Sequence, residues 1–171
     1  YKIFIDIIKK SLSIGSSESS DEVIQKFNLE FNEIADMLDD KLKSQFIDVK
    51  ARIAYLLGLR INEKISEVSG EDLKSEIQLS IRTFIEAICY QVNLSNVPFI
   101  IIIEDIHWID EASLDVLYNI IDIEGIGLNK KNVQNRALCF IFDYRDNYPL
   151  PEGIAQIGSF KEISIKPLGR D

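Results

Sequence analysis

One histidine and two cysteines in 171 residues leave this sequence without the arithmetic of a zinc centre. Cys89 and Cys139 lie far apart and form no CxxC pair, so they read as small core residues of a protein kept in a reducing compartment. Basic charge is also scarce. Nineteen Lys and Arg stand against 28 Asp and Glu, a net charge of −9, and no Lys/Arg cluster emerges, so direct nucleic-acid binding has no electrostatic footprint. The longest pure apolar run, Phe99 to Ile103, falls far short of the ~18 residues of a membrane span. No basic-then-apolar leader opens the sequence. These absences predict a cytoplasmic protein that does not engage a membrane. A hydrophobic share of 46% with 27% charged residues is that of an ordinary globular domain, long enough to bury a core.

Helical periodicity fills the first half. Ile3, Ile7, Ile8 and Leu12 make an opening amphipathic stretch, followed by a polar loop from Ser13 to Ser20. Ser19-x-x-Glu22 has the form of a capping box, and the helix it opens carries a stripe at Ile24, Phe27, Phe31, Ile34, Ala35, Leu38 and Leu42. Ser44 is the expected cap of a further helix bearing Phe46, Ile47, Ile53, Ala54, Leu56 and Leu57, with Gly58 at its C′ position. The longest predicted helix runs from Glu71 to Val92 on Leu73, Ile77, Ile81, Phe84, Ile88 and Val92.

The pattern then changes. Phe99-Ile-Ile-Ile-Ile103 reads as a strand buried on both faces. Glu104 and Asp105 follow at once, then a short loop holding His107 and Trp108, then a helix from Glu111 to Ile121 capped by Asp110 or Ser113. A second buried strand is expected at 137–142, ending in Asp143-Tyr144-Arg145-Asp146, and a third, short one at 162–165. The fold class expected is α/β, helical over 1–96 and βαβ-like over 97–171. Two adjacent carboxylates at the end of so apolar a strand repel each other in the absence of a cation. An acidic pair at the carboxyl edge of a parallel sheet is a position for a Mg²⁺ ligand.

The run Glu104-Asp105-Ile106-His107-Trp108-Ile109-Asp110, with Ala112-Ser113-Leu114 after it, resembles the Walker B segment of P-loop ATPases of the STAND type, whose usual form is Glu-Asp-Leu-His-Trp-Ala-Asp followed by Ala-Ser-Leu. The likeness continues in order along the chain. Arg52 to Leu59 resembles the family's Leu-Leu-Gly helix end, Phe140 to Asp146 its next strand with a sensor arginine, and Ile163 to Asp171 its last strand and lid entry. The resemblance implies a single domain over 1–171 that is the C-terminal portion of a three-layer P-loop sandwich. It implies ATP or ADP as ligand, Mg²⁺ as cofactor, and a switch function within a larger multidomain signalling protein. In those terms Glu104 holds Mg²⁺ through water and Asp105 orients or deprotonates the attacking water, though the two roles are exchangeable. Arg145 reaches the γ-phosphate. His107 senses nucleotide or hydrogen-bonds a backbone carbonyl, and Trp108 is expected to anchor its loop by packing.

No GxxxxGK[ST] segment occurs in the sequence. The nearest string, Gly153 to Phe160, lacks the lysine and follows the acidic pair, where a phosphate loop should precede it. The family's strand order, 5-1-4-3-2, then leaves 162–165 without a neighbour and strand 137–142 with an open apolar edge. The expectation is a piece of a longer ATPase. The alternative is a non-catalytic regulatory or interaction module derived from one. A phosphoacceptor receiver domain, suggested by Asp105, Asp143 and Lys166-Pro167, is rejected. Asp143 and Lys166 are too close in sequence to enclose two strand–helix units of some 20 residues or more each.

Overall fold

A computed structural model describes residues 1–15, 17–61, 70–121, 138–145, 147–155 and 160–166. The expected loop at 124–136, Ala137, Asp146, most of the stretch around Gly158 and the Pro167–Asp171 end lie outside them. Within the described residues the chain is helix-rich α/β, with a small parallel sheet of two strands flanked by helices.

Helix α1 (Lys2–Ser11) buries Phe4 and Ile8, one turn apart on the same face. Helix α2 (Ser20–Met37) starts at the capping box expected of it. Ser19 Oγ accepts from the Glu22 N–H, and the Glu22 carboxylate accepts from the Ser19 N–H at 2.8 Å. Its predicted stripe is buried at Phe27, Phe31, Ile34 and Ala35. The helix does not run on to Leu42. It stops at Leu38, whose ψ of 154° is extended, and Asp39 caps α3 (Asp40–Asp48) by accepting from the Leu42 N–H at 2.9 Å. The cap is therefore Asp39 and not Ser44. Both residues have cap chemistry, and the turn at Leu38 decides between them. After Val49 comes α4 (Lys50–Leu56), closed at Gly58. There the Gly58 N–H donates to the Tyr55 carbonyl and the Leu59 N–H to the Ala54 carbonyl, with Gly58 at φ 73°. This is the paired Schellman closure that favours glycine.

Helix α5 (Glu71–Asn93) is the hub. It buries Ile77, Ile81, Phe84, Ile85 and Ile88 together with Ser80, Thr83, Ala87 and Cys89, far more than one stripe. Helices α1 to α4, α6 and the first strand all pack on it. Phe31 and Phe46 stack with centroids 4.0 Å apart, and Phe84 of α5 lies 5.8 Å from Phe46. These rings join α2, α3 and α5 into one core.

Strand β1 (Phe99–Ile103) pairs in parallel with β2 (Leu138–Phe142), Phe99 opposite Leu138 and Ile103 opposite Phe142. Helix α6 (Glu111–Ile121) lies between them in sequence and buries Ser113, Val116, Leu117 and Ile120. One short helix, α7 (Glu152–Ala155), follows and packs Ile154 into the core. Gly153 sits so close to Tyr118 that an added Cβ would fall 2.5 Å from the ring.

Three sequence expectations change here. The strands are buried on one face only: Ile101 and Ile103 are inside, while Ile100 and Ile102 are 48% and 64% exposed. A parallel strand is covered on both sides only when helices stand on both, and among the described residues they stand on the Ile101/Ile103 side. Segment 160–166 is not a strand. Ile163 and Ile165 are bare to solvent, and the described sheet holds only β1 and β2. An apolar alternation without a ladder partner does not make a strand. Cys139 is an exposed free thiol on the open face and no core residue, in contrast to buried Cys89.

Candidate functional site

Both strands of a parallel pair point their carboxyl ends the same way, so the residues that follow Ile103 and Phe142 meet at one edge of the sheet. Glu104 and Asp105 follow the first, and Asp143, Tyr144 and Arg145 the second. The Asp143 N–H donates to the Ile103 carbonyl at 3.3 Å, and the Ile106 N–H donates to the Asp143 carbonyl at 3.0 Å. The Asp105 N–H donates to Asp143 Oδ1.

Asp105 adopts the left-handed conformation, φ 52° and ψ 48°. Aspartate is among the few non-glycine residues that visit this region with little penalty. The turn leaves its side chain 67% exposed and sends Ile106 straight back into the core. A single 3₁₀ turn, Ile106–Trp108, follows. Glu104 is exposed, and among the described residues its carboxylate has neither a hydrogen bond nor an ion pair. An acidic pair that the surrounding side chains leave uncompensated can accept a cation.

His107 lies behind the pair. Its side chain is only 9% exposed, and Nε2 is 3.6 Å from Asp105 Oδ1, too long for a hydrogen bond. Neither ring nitrogen has a partner among the described residues. The imidazole is held between rings, 5.3 Å from Trp108 and 5.9 Å from Tyr148. Buried polar atoms are nearly always satisfied, so a histidine left this way is a mark of function or of a bound water. The carbonyl bond open to His107 in sequence terms is not made. Trp108 is not the anchor expected of it. It is 77% exposed, and Ile106 does the anchoring.

Arg145 is exposed, two residues beyond Asp143, and its backbone carbonyl accepts from the Tyr148 N–H at 2.8 Å. No described contact joins its guanidinium to Glu104 or Asp105. The structure thus brings Glu104, Asp105 and His107 together and sets Arg145 on the same edge. Asp143 and Tyr148 join the group without having been singled out for it. The sequence signal for Asp143 was its place directly after the second strand. No sequence signal marked Tyr148.

Asp110 is the helix cap, as one of the two sequence readings had it. Its oxygens accept from the Ser113 N–H at 2.9 Å and from Ser113 Oγ at 2.7 Å. They also accept from the Tyr1 ammonium at 2.7 Å and the Lys2 N–H at 3.2 Å, tying α1 to the start of α6. Partial burial works against its charge. The ammonium of Tyr1, Ser113 and the Lys2 N–H outweigh that and hold Asp110 well below the usual carboxylate range. With its folded value below its unfolded one, the stabilisation is complete above the ordinary 3.8 and fades as pH falls through the lowered folded value. In the 171-residue chain, which carries the Tyr1 ammonium, Asp110→Asn is therefore expected to be less stable than the parent at about pH 6, with the gap closing toward about pH 2. Urea unfolding across that range measures it, and a gap independent of pH would remove the carboxylate's charge from the account.

Among the described residues, no group of three His, Cys, Asp or Glu is placed to hold a metal ion alone, and no helix is long and apolar enough to cross a membrane. Comparisons with family models, with curated proteins and with solved structures find no match to this chain.

Proposed function

We propose that this chain supplies the acidic edge of a Mg²⁺-ATP-dependent switch domain of the STAND P-loop type, within a larger signalling protein. One observation carries the reading: Glu104 and Asp105 stand exposed, with no Lys or Arg paired to them among the described residues, at the carboxyl end of one of two adjacent parallel strands, where nucleotide-binding sheets place such residues. Mg²⁺ takes one or two carboxylates and completes its shell with water and phosphate oxygens, so an exposed pair fits it without a three-residue cage. Bound with the nucleotide, the ion would neutralise phosphate charge. Glu104 would hold it through water. Asp105, fixed in its left-handed turn, would orient the attacking water or take its proton. His107 stands behind Asp105 with free ring nitrogens to support that carboxylate or sense the bound nucleotide. Arg145, on the same edge, would reach the γ-phosphate with its planar fork. In this reading the phosphate grip would be supplied by residues other than these 171, which hold no GxxxxGK[ST] segment.

The alternative is a regulatory or interaction module without catalysis. The open sheet face favours it: Ile100, Ile102 and Ile141 are each about half exposed or more, an apolar surface of the kind that partners cover. Calorimetric titration of Mg²⁺-ATP and Mg²⁺-ADP into this chain, and into a form lengthened upstream through its natural gene, separates the two. Binding by the lengthened form supports the ATPase reading. Binding by neither form sinks it in favour of the interaction module.

A further inference from the structure

We infer that Asp143 is a positioning residue for Asp105, acting through its side-chain oxygen as a hydrogen-bond acceptor and not as a third acid. The inference rests on the nucleotide reading of the acidic pair given above. Asp143 makes three separate hydrogen bonds to the end of β1 and the turn that follows it. Its N–H binds the Ile103 carbonyl, its carbonyl binds the Ile106 N–H, and its Oδ1 binds the Asp105 N–H. The first closes the Ile103–Phe142 step of the ladder; the second comes from Ile106, one residue past the Asp105 donor that a regular parallel ladder would use. The third is different in kind. It comes from a side chain, and it falls on the residue whose backbone has left the sheet for φ 52°. A left-handed non-glycine residue persists where its surroundings fix it, and this bond is the side-chain contact that meets the Asp105 backbone.

Electrostatics alone predict the opposite arrangement. Glu104, Asp105 and Asp143 are three carboxylates at one sheet edge, with no described Lys or Arg paired to any of them. Repulsion would turn the Asp143 carboxylate away from Asp105, yet Oδ1 points at the Asp105 backbone amide. The contact it makes there needs an oxygen lone pair and no charge. Asp143 therefore sets where the Asp105 side chain points while staying out of the chemistry. An asparagine at 143 should serve equally well, because its amide oxygen offers the same acceptor in the same place.

The test is nuclear magnetic resonance of the full chain, reading the Asp105 amide proton in the parent, Asp143→Ala and Asp143→Asn. The parent proton is expected downfield and protected from exchange. Asp143→Ala should return it toward the unbonded range and speed its exchange on the order of tenfold relative to Ile101. Asp143→Asn should restore both signals, a rescue that a requirement for the charge would not allow. An Asp105 amide indifferent to Asp143→Ala, or unrestored by asparagine, overturns the inference. If the alanine variant does not fold, the asparagine variant decides alone: retained protection supports the role and lost protection ends it. Calorimetry with Mg²⁺-ATP on the lengthened form keeps the two ideas apart. No binding with the Asp105 bond intact overturns the nucleotide reading. Normal binding with an Asp105 amide that ignores residue 143 overturns this one.

Discussion

Phe46→Ala is expected to remove about 3–5 kcal/mol of unfolding free energy, the usual cost of emptying a buried phenylalanine site. Phe46 is fully buried, stacks on Phe31 at 4.0 Å and tilts against Phe84 at 5.8 Å. It is also one of only two buried anchors of α3, the other being Leu42. The short helix has little else to hold it, so the cavity cannot be filled by a small shift of a rigid element. Aromatic pairs add about 0.5–1.5 kcal/mol beyond their area, and two such contacts vanish together. Domains of this kind are stable by only about 5–15 kcal/mol, so the variant should sit close to unfolding at room temperature. Urea denaturation measures it, with Phe46→Leu as the milder control. A loss under about 1 kcal/mol would mean that the three-ring cluster does not organise the helical half.

Under the proposed nucleotide reading, Asp105→Asn is expected to lower ATP turnover about 10²- to 10⁴-fold, the range for removing a general base. The substitution suits the question because asparagine tolerates the left-handed turn that residue 105 adopts. The backbone should stay in place while the carboxylate disappears. Nucleotide affinity should therefore change little, and the loss should fall on kcat. Glu104→Gln should act on the other side of the division, weakening affinity through Mg²⁺ more than it slows the step. Single-turnover kinetics at saturating Mg²⁺-ATP separate the two. Unchanged turnover in Asp105→Asn would remove that residue from the mechanism, and the reverse pattern would exchange the roles of the pair.

The elements that stood out in the sequence are those fixed by neighbours along the chain. The capping box at Ser19 and Glu22, the glycine closure at Gly58, the strand Phe99–Ile103 and the helix from Glu111 each follow from a few adjacent residues. What the sequence could not carry is set at a distance. Leu38 and Leu42 continue one helical stripe, so only the extended backbone at Leu38 shows that the helix ends there. Five apolar residues in a row do not say which face of a strand is left bare, because that depends on which helices come to cover it. The alternation at 162–165 resembles a strand but finds no ladder among the described residues. At the candidate site, the acidic pair was legible as a motif. The packing of His107 against Tyr148 and the turn of Asp143 toward the Asp105 amide both depend on β2 arriving beside β1.

That arrival has a kinetic meaning. Helices α2 and α3 gather on α5 through the ring cluster of Phe31, Phe46 and Phe84, and α1 and α4 pack on the same helix. The Asp105–Asp143 bond joins residues 38 positions apart. Loop closure over that distance is slower and costs more entropy than a helical turn. The acidic edge is exposed while the ring cluster is buried, so a local opening dissolves the edge before the core. A fluctuation that lifts β2 from β1 would disperse Asp143 and Arg145 from Glu104 and Asp105, with the aromatic core still closed. Docking of β2 thus acts as the assembly step of the site, and its free energy can be small and separately tunable while the fold as a whole stays intact.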